Sequence, residues 1–469
     1  MEALTKIEQF NFDDKINECI ARLQGYQEEI RSVHTPEELE EYEKEVGMLT
    51  NELQGMLIGK SLQESLNSVA CEEKQRELID AHPFKMISEG FKKVKVKTIH
   101  GIIIELRVRY YSRKGGRRRG KRYPVVYAGL IVLGIHEHCT PGCSSQVSQL
   151  TAMLASLDEA QAVLQDNGFK LDKKTIRDIA YRMAQRARVA QQLEKSVFTE
   201  KLGGRRVVIS IDGGRIRLRE KKRGSKTPKG RNRYKGAWRE PKLIIIYVMN
   251  EEGKIDRSFM PYIDALIRSP KVLFDLLYNY LNKLNVQAAE KVVFAADGAT
   301  WIWNRTQELA NKLGLKAGQY YEVLDFYHAV EHLGKVASLR SGWSSKKRKA
   351  WIRKHRKLLL NGEVEKVIKS IQEICRGRNS KGLRTERDYF IKNKKRMAYK
   401  LLKELNLPIG SGAVESAIRR VVNLRLKGPC IFWCKESAEA ILMLRSYHKA
   451  GRWNLLKSMA NLPEVQVAI

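Results

Sequence analysis

The chain has 469 residues, 43% of them hydrophobic, enough to bury one large core or two to three medium ones. Lys and Arg total 87 against 53 Asp and Glu, a formal net charge of +34. No run of about 18 apolar residues occurs, so no membrane-spanning helix is expected.

The start, Met1-Glu2-Ala3-Leu4-Thr5-Lys6, lacks a cationic stretch followed by an apolar run, so no signal peptide is expected. Seven scattered cysteines do not form a secreted disulfide framework, which predicts a reducing, cytoplasmic compartment. Charge is divided unevenly. Residues 1–90 hold nine basic and 20 acidic side chains, leaving 78 against 33 over 91–469. A positive field of that size concentrates a polyanion, and nucleic acid is the natural partner.

Residues 12–80 read as helices, with Ile16, Ile20 and Leu23, then Leu49, Leu53 and Leu57, near helical spacing. Thr35-Pro36-Glu37-Glu38 is a helix start: a capping Thr, Pro in the first turn, and carboxylates at the positive dipole end. This acidic arm, 1–90, serves self-association, covers basic surface when DNA is absent, or is a plain extension. Residues 94–110 alternate as a β-hairpin turning at His100-Gly101. The basic stretch 113–122, with Arg117, Arg118 and Arg119, suits contacts to phosphate. His136, Cys139 and Cys143 offer zinc donors without a second ligand pair and are taken as free side chains. One helix is predicted over 146–164, a turn at Asp166-Asn167-Gly168, and a second helix capped by Asp172. Lys173, Lys174, Arg177 and Arg182 decorate that second helix, a helix-turn-helix pattern for the major groove. Residues 91–200 therefore form the predicted DNA-binding region.

Strands take over after residue 204. Arg206 to Ile211 is an apolar run ending in Asp212, and Val292 to Ala296 is another ending in Asp297. Between them lie a basic loop over 221–240, holding Arg231 and Arg233, and the apolar run 243–248. Carboxylates at the C-terminal ends of buried strands sit where open α/β sheets bind ligands. Phosphodiester chemistry needs charge shielding and an activated oxygen, which two divalent ions held by carboxylates supply. The third acid is Glu415, in the first turn of a helix opening at Gly410-Ser411-Gly412. Arg419, Arg420, Arg425 and Lys427 follow it as candidate phosphate contacts.

Asp212, Asp297 and the segment from Gly410 to Ser416 together resemble the DDE triad of bacterial insertion-sequence transposases. The runs Asp297 to Asn304 and Asp325 to His332 are similar to the branch related to Mutator elements, as is the closing segment Asn423 to Trp433. The resemblance covers roughly 90–455. It implies an α/β RNase H-like catalytic domain over 201–455 with a helical insertion at about 327–405, preceded by the helical and helix-turn-helix-like regions. It also implies cleavage at element ends and strand transfer into target DNA, with two Mg2+ or Mn2+ ions at Asp212, Asp297 and Glu415. A dimer or higher assembly on DNA is expected, and Asp325 and His328 match a Cys/Asp-x-x-His pair, with His328 as a contact to DNA or the active site.

Other readings remain. His328-Ala329-Val330-Glu331-His332 also fits an inverted zinc-peptidase signature. A non-catalytic DNA-binding derivative of a transposase is a second alternative, which the intact acids argue against, and a nuclease on the same fold is a third, which would cleave with metal but not join a 3′ end to a target.

Overall fold

The structure, a computed structural model, describes residues 10–114 and 125–463. Arg117, Arg118 and Arg119 lie outside the described residues. The chain divides into two compact units, Met1–Lys195 with Asn454–Ile469, and Ser196–Trp453.

The first unit opens on helices α1 (Phe12–Glu29), α2 (Pro36–Leu66) and α3 (Val69–Asp80). Thr35 accepts from the Glu38 backbone while the Glu38 carboxylate accepts from Thr35, so two otherwise orphaned amides are satisfied at the start of α2. Strands β1 (Met86–Lys97) and β2 (Ile103–Arg113) form an antiparallel hairpin longer than the alternation over 94–110 suggests. Its outer part carries a register shift between Ser88 and Phe91, which breaks the alternating pattern there. Gln63 of α2 exchanges two hydrogen bonds with the backbone of Arg107, and Phe12, Met56, Leu66, Val96 and Leu106 share one core. The acidic arm and the hairpin therefore fold together.

Helices α4 (Ala128–Val132), α5 (Pro141–Met153), α6 (Leu157–Asp166) and α7 (Lys173–Gln192) follow. The single helix predicted over 146–164 is two. Ser156 accepts from the Glu159 amide, and the Glu159 carboxylate accepts from Ala155, which starts a new helix inside the apolar pattern. Asp172 caps α7 as its sequence suggests.

The second unit is built on a five-stranded mixed sheet. Strands β3 (Arg206–Gly213), β6 (Lys242–Met249), β7 (Tyr262–Leu266), β8 (Lys291–Ala296) and β9 (Tyr320–Leu324) take the order β7-β6-β3-β8-β9. β3, β8 and β9 run parallel, and β6 is antiparallel to both of its neighbours. Every residue of β6 is buried, as expected of a central strand covered on both faces. A separate antiparallel ribbon, β4 (Ile216–Lys221) with β5 (Tyr234–Arg239), forms between β3 and β6 in sequence. Helices α8 (Pro270–Lys283), α9 (Thr300–Lys312) and α10 (Phe326–Ser338) alternate with the later strands. Helices α11 (Ser345–Leu360), α12 (Val364–Cys375), α13 (Lys381–Asn393) and α14 (Tyr399–Glu404) then form a helical block. The unit closes with α15 (Gly412–Ile418), α16 (Leu424–Leu426) and α17 (Lys435–Lys449). No helix of the described residues is long and apolar enough to cross a membrane. The chain is thus a mixed α/β protein with many helices around a mixed sheet.

Candidate functional site at the edge of the sheet

Strand register places the candidate acids. Ile211 of β3 lies opposite Ala296 of β8, and Ala296 lies opposite Leu324 of β9. One step further along each chain come Asp212, Asp297 and Asp325. Three aspartates therefore stand in a row across adjacent parallel strands, at their C-terminal edge, where neighbouring strands are about 4.8 Å apart.

The three carboxylates are held differently. Asp212 accepts from the amide of Gly213 at 2.6 Å. Burial pushes its pKa up to about 6 against that hydrogen bond, and the charges of Asp297, Glu415 and Glu240 add to the rise. Asp297 accepts from the Ala299 amide at 2.9 Å, and its carbonyl accepts from the Trp303 indole at 2.6 Å. Asp325, 1% exposed, caps α10 by accepting from the His328 amide. Its other oxygen accepts from both the amide and the hydroxyl of Ser411. Phe326 also donates to the carbonyl of Ile409 at 2.9 Å. The end of β9 is thereby fastened to the turn that opens α15, and α15 carries Glu415 exposed in its first turn.

Beyond Glu415 the helix widens into a π turn over Arg419–Asn423. Such turns leave carbonyls without their usual partners. Arg445 of α17, 3% exposed, supplies donors: Nε bonds the carbonyl of Val421 at 3.0 Å and Nη2 bonds that of Arg420. Arg419 is exposed and Arg420 partly so. Arg425 is instead buried, 8% exposed, with its guanidinium 5.1 Å from the Trp433 ring. The structure does not place Arg425 on the surface with Arg419.

The helical block covers one flank of the edge. Tyr389 of α13 lies against Gly298, where a Cβ would meet its ring carbon at 2.4 Å. Its phenol is raised far above the usual range by burial, with the charges of Asp297 and Asp325 adding to it. His332 stacks on Tyr389 with ring centroids 3.6 Å apart and bonds Glu386 at 2.5 Å. His328 lies 5.0 Å from His332 and 3.5 Å from Glu331. His332 is thus occupied in packing, which weakens the zinc-peptidase reading. Glu240 and Lys242, paired at 3.3 Å, flank Gly213 on the other side. Sequence reasoning passed over Tyr389, Glu240 and Ser411; for Ser411 the available signal was its place in Gly410-Ser411-Gly412 beside the third acid.

The other predicted cations have the following local settings. Lys173 pairs with Asp158 and Arg177 with its neighbour Asp178 at 2.7 Å, while Lys174 is exposed. Arg182 approaches Glu137 at 3.8 Å. Arg231 and Arg233 are exposed in the loop joining β4 to β5. Cys139 and Cys143 are fully buried and hydrogen-bonded to each other, and burial pushes the His136 pKa down to about 3. Among the described residues no three His, Cys, Asp or Glu side chains are gathered tightly enough to hold a metal ion as they stand.

No protein-family model matches the chain, and no curated protein matches it. Among solved structures, it is similar to one titled "Drosophila P element transposase strand transfer complex", at 13% identity and a TM-score of 0.24. That likeness covers 67% of this chain and 80% of the other. At these values it carries no argument about this chain.

Proposed function

We propose that this chain is a DNA transposase whose catalytic domain is RNase H-like and whose acids are Asp212, Asp297 and Glu415. The observation that carries the reading is the strand register: Asp212 and Asp297 are neighbours at one sheet edge, and Glu415 lies near enough for its charge to act on Asp212. The basic excess over 91–469 supports DNA as the substrate.

The donor set fits Mg2+ or Mn2+ by its chemistry. It is all carboxylate, which hard divalent ions prefer, and no Lys or Arg among the described residues pairs with any of the three. Divalent ions bound there would shield phosphate charge and favour the ionised form of an oxygen nucleophile.

The protein's own part is to orient. Asp212 and Asp297 are fixed by their strands, while Glu415 depends on the Asp325–Ser411 fastening of α15. Arg419 and Arg420 stand one turn beyond Glu415, placed for phosphate oxygens. Water cleaves the phosphodiester at an element end, and the released 3′-OH attacks target DNA in line. Because two ends are joined to one target, a dimer or higher assembly is part of the proposal. Lys173, Lys174 and Arg177 on α7, with the loop holding Arg231 and Arg233, bind the ends.

The test is cleavage and joining of a labelled element-end duplex with Mg2+ and with EDTA. Wild type should form joined products only with metal. Asp297→Asn should lose about 10^2- to 10^3-fold in rate, the scale for removing one group that stabilises developing charge, while binding DNA as before. Cleavage without joining would point to a nuclease, and cutting by Asp297→Asn would refute the acid assignment.

A further inference from the structure

The β4–β5 ribbon has two unlike faces. In an antiparallel pair, directly opposed residues share a face. Arg217 lies opposite Trp238, Arg219 opposite Gly236, and Lys221 opposite Tyr234. The other face holds Ile216, Leu218 and Glu220, with Glu220 paired to Lys235 and Arg239. The first face therefore carries cations and rings without a carboxylate, and no acid among the described residues pairs with Arg215, Arg219 or Lys221.

Phe432 completes this face. It packs over Gly236, where a Cβ would meet its ring at 2.5 Å, and lies 5.7 Å from the Tyr234 ring. Trp433 bonds the backbone of Arg217 and Arg219 on the free side of β4, so the segment bearing Phe432 is tied to the ribbon. Arg217 is held as well, donating to the Gly428 carbonyl and lying 4.5 Å above Phe432. Yet Trp238 remains 51% exposed and Tyr234 45% exposed. Arg215 and Arg217 lie 5.3 and 5.5 Å from the Trp238 ring and Arg219 lies 4.9 Å from the Tyr234 ring, so each half-exposed ring is bordered by cations. Such a surface calls for an occupant with flat faces and negative charge.

We propose that this face docks unpaired, single-stranded DNA, with bases stacking on Trp238 and Tyr234 and phosphates meeting Arg219 and Lys221. In a duplex the base faces are hidden in the stack, so only the cations would find partners. The spacing agrees. Trp238, Phe432 over Gly236, and Tyr234 succeed one another every two residues, roughly 6.8 Å along the strand. That is about twice the 3.4 Å rise per nucleotide of a stacked strand, so the row matches bases drawn apart. The choice of DNA over RNA rests on the transposase reading; the stacking surface does not.

The experiment is fluorescence anisotropy of a labelled thymidine oligomer and of a fully paired duplex, in EDTA, over a series of salt concentrations. Trp238→Ala should weaken oligomer binding by about 5- to 140-fold and leave duplex binding and the salt slope unchanged. Trp238→Phe should restore most of the loss, since a ring is restored. Lys221→Ala should instead flatten the salt slope for the oligomer by about 0.7. Equal losses on both substrates, or none in Trp238→Ala, would overturn the proposal. Because no cleavage is measured, a catalytically dead protein with Trp238-dependent binding would defeat the transposase reading alone. Full joining activity with oligomer binding indifferent to Trp238 would defeat this one alone.

Discussion

The edge of the five-stranded sheet and the β4–β5 ribbon lie in the same unit and are opposites. The edge is acidic, half-buried, and assembled from residues 212, 297, 325 and 411 brought together by packing. The ribbon is basic, exposed, and made from about 25 consecutive residues plus one strap. Their difference teaches how a protein divides labour on a polyanion. Carboxylates that gather divalent ions must be fixed by a rigid frame, because like charges do not stay together unaided. Cations that meet phosphate need only be accessible, and a two-stranded ribbon suffices to present them.

Mutations should break the two regions in different ways. Asp325→Asn should be the most damaging after loss of the triad acids, since it weakens the hold on Ser411 and hence on Glu415. Activity should fall about 10- to 100-fold, as for other residues that orient ligands, with DNA binding unchanged in a mobility-shift assay. Ser411→Ala should give the same pattern in weaker form. Gly298→Ala forces a methyl group against Tyr389, and thermal denaturation should register about 1–3 kcal/mol of destabilisation.

Acidity sharpens the contrast further. Asp212 titrates near 6 when folded and near 3.8 when not, so its raised pKa favours the folded state below 3.8 and that benefit disappears as pH rises through 6. In EDTA, Asp212→Asn should flatten the thermal stability profile across this window. Ion binding competes with the same proton, so apparent Mn2+ affinity should drop about tenfold per pH unit below 6. On the ribbon the shift runs the other way, because the hydrogen bond from Arg239 holds the Glu220 carboxyl below its usual range. Trp238→Ala should leave stability within about 0.5 kcal/mol, because an exposed side chain loses little on truncation.

Legibility in the sequence followed the range of the forces involved. Helix caps at Thr35 and Asp172 were readable because donor and acceptor are three residues apart. The cap at Ser156 was equally local, but apolar periodicity running across it hid the break between α5 and α6. Asp212 and Asp297 stood out because each follows a continuous apolar run, the mark of a strand buried on both faces. Arg425 looked like its neighbours Arg419 and Arg420, and only packing on Trp433 distinguishes it.

By itself, then, the sequence read strand β5, Tyr234–Arg239, as part of a basic loop, but it determined many of the helices, the apolar strands before the acids, the charge division, and the candidate acids at strand ends. All of these arise from periodicity, composition and contacts within a few residues. Strand order, the register that sets Asp212, Asp297 and Asp325 side by side, and the link from Asp325 to Ser411 across 86 positions were decided by tertiary structure. The same holds for Tyr389 against Gly298 and for Arg445 bonding the π turn. Such pairings are chosen by which faces bury together and which buried polar groups find partners, and no window of neighbouring residues contains that information.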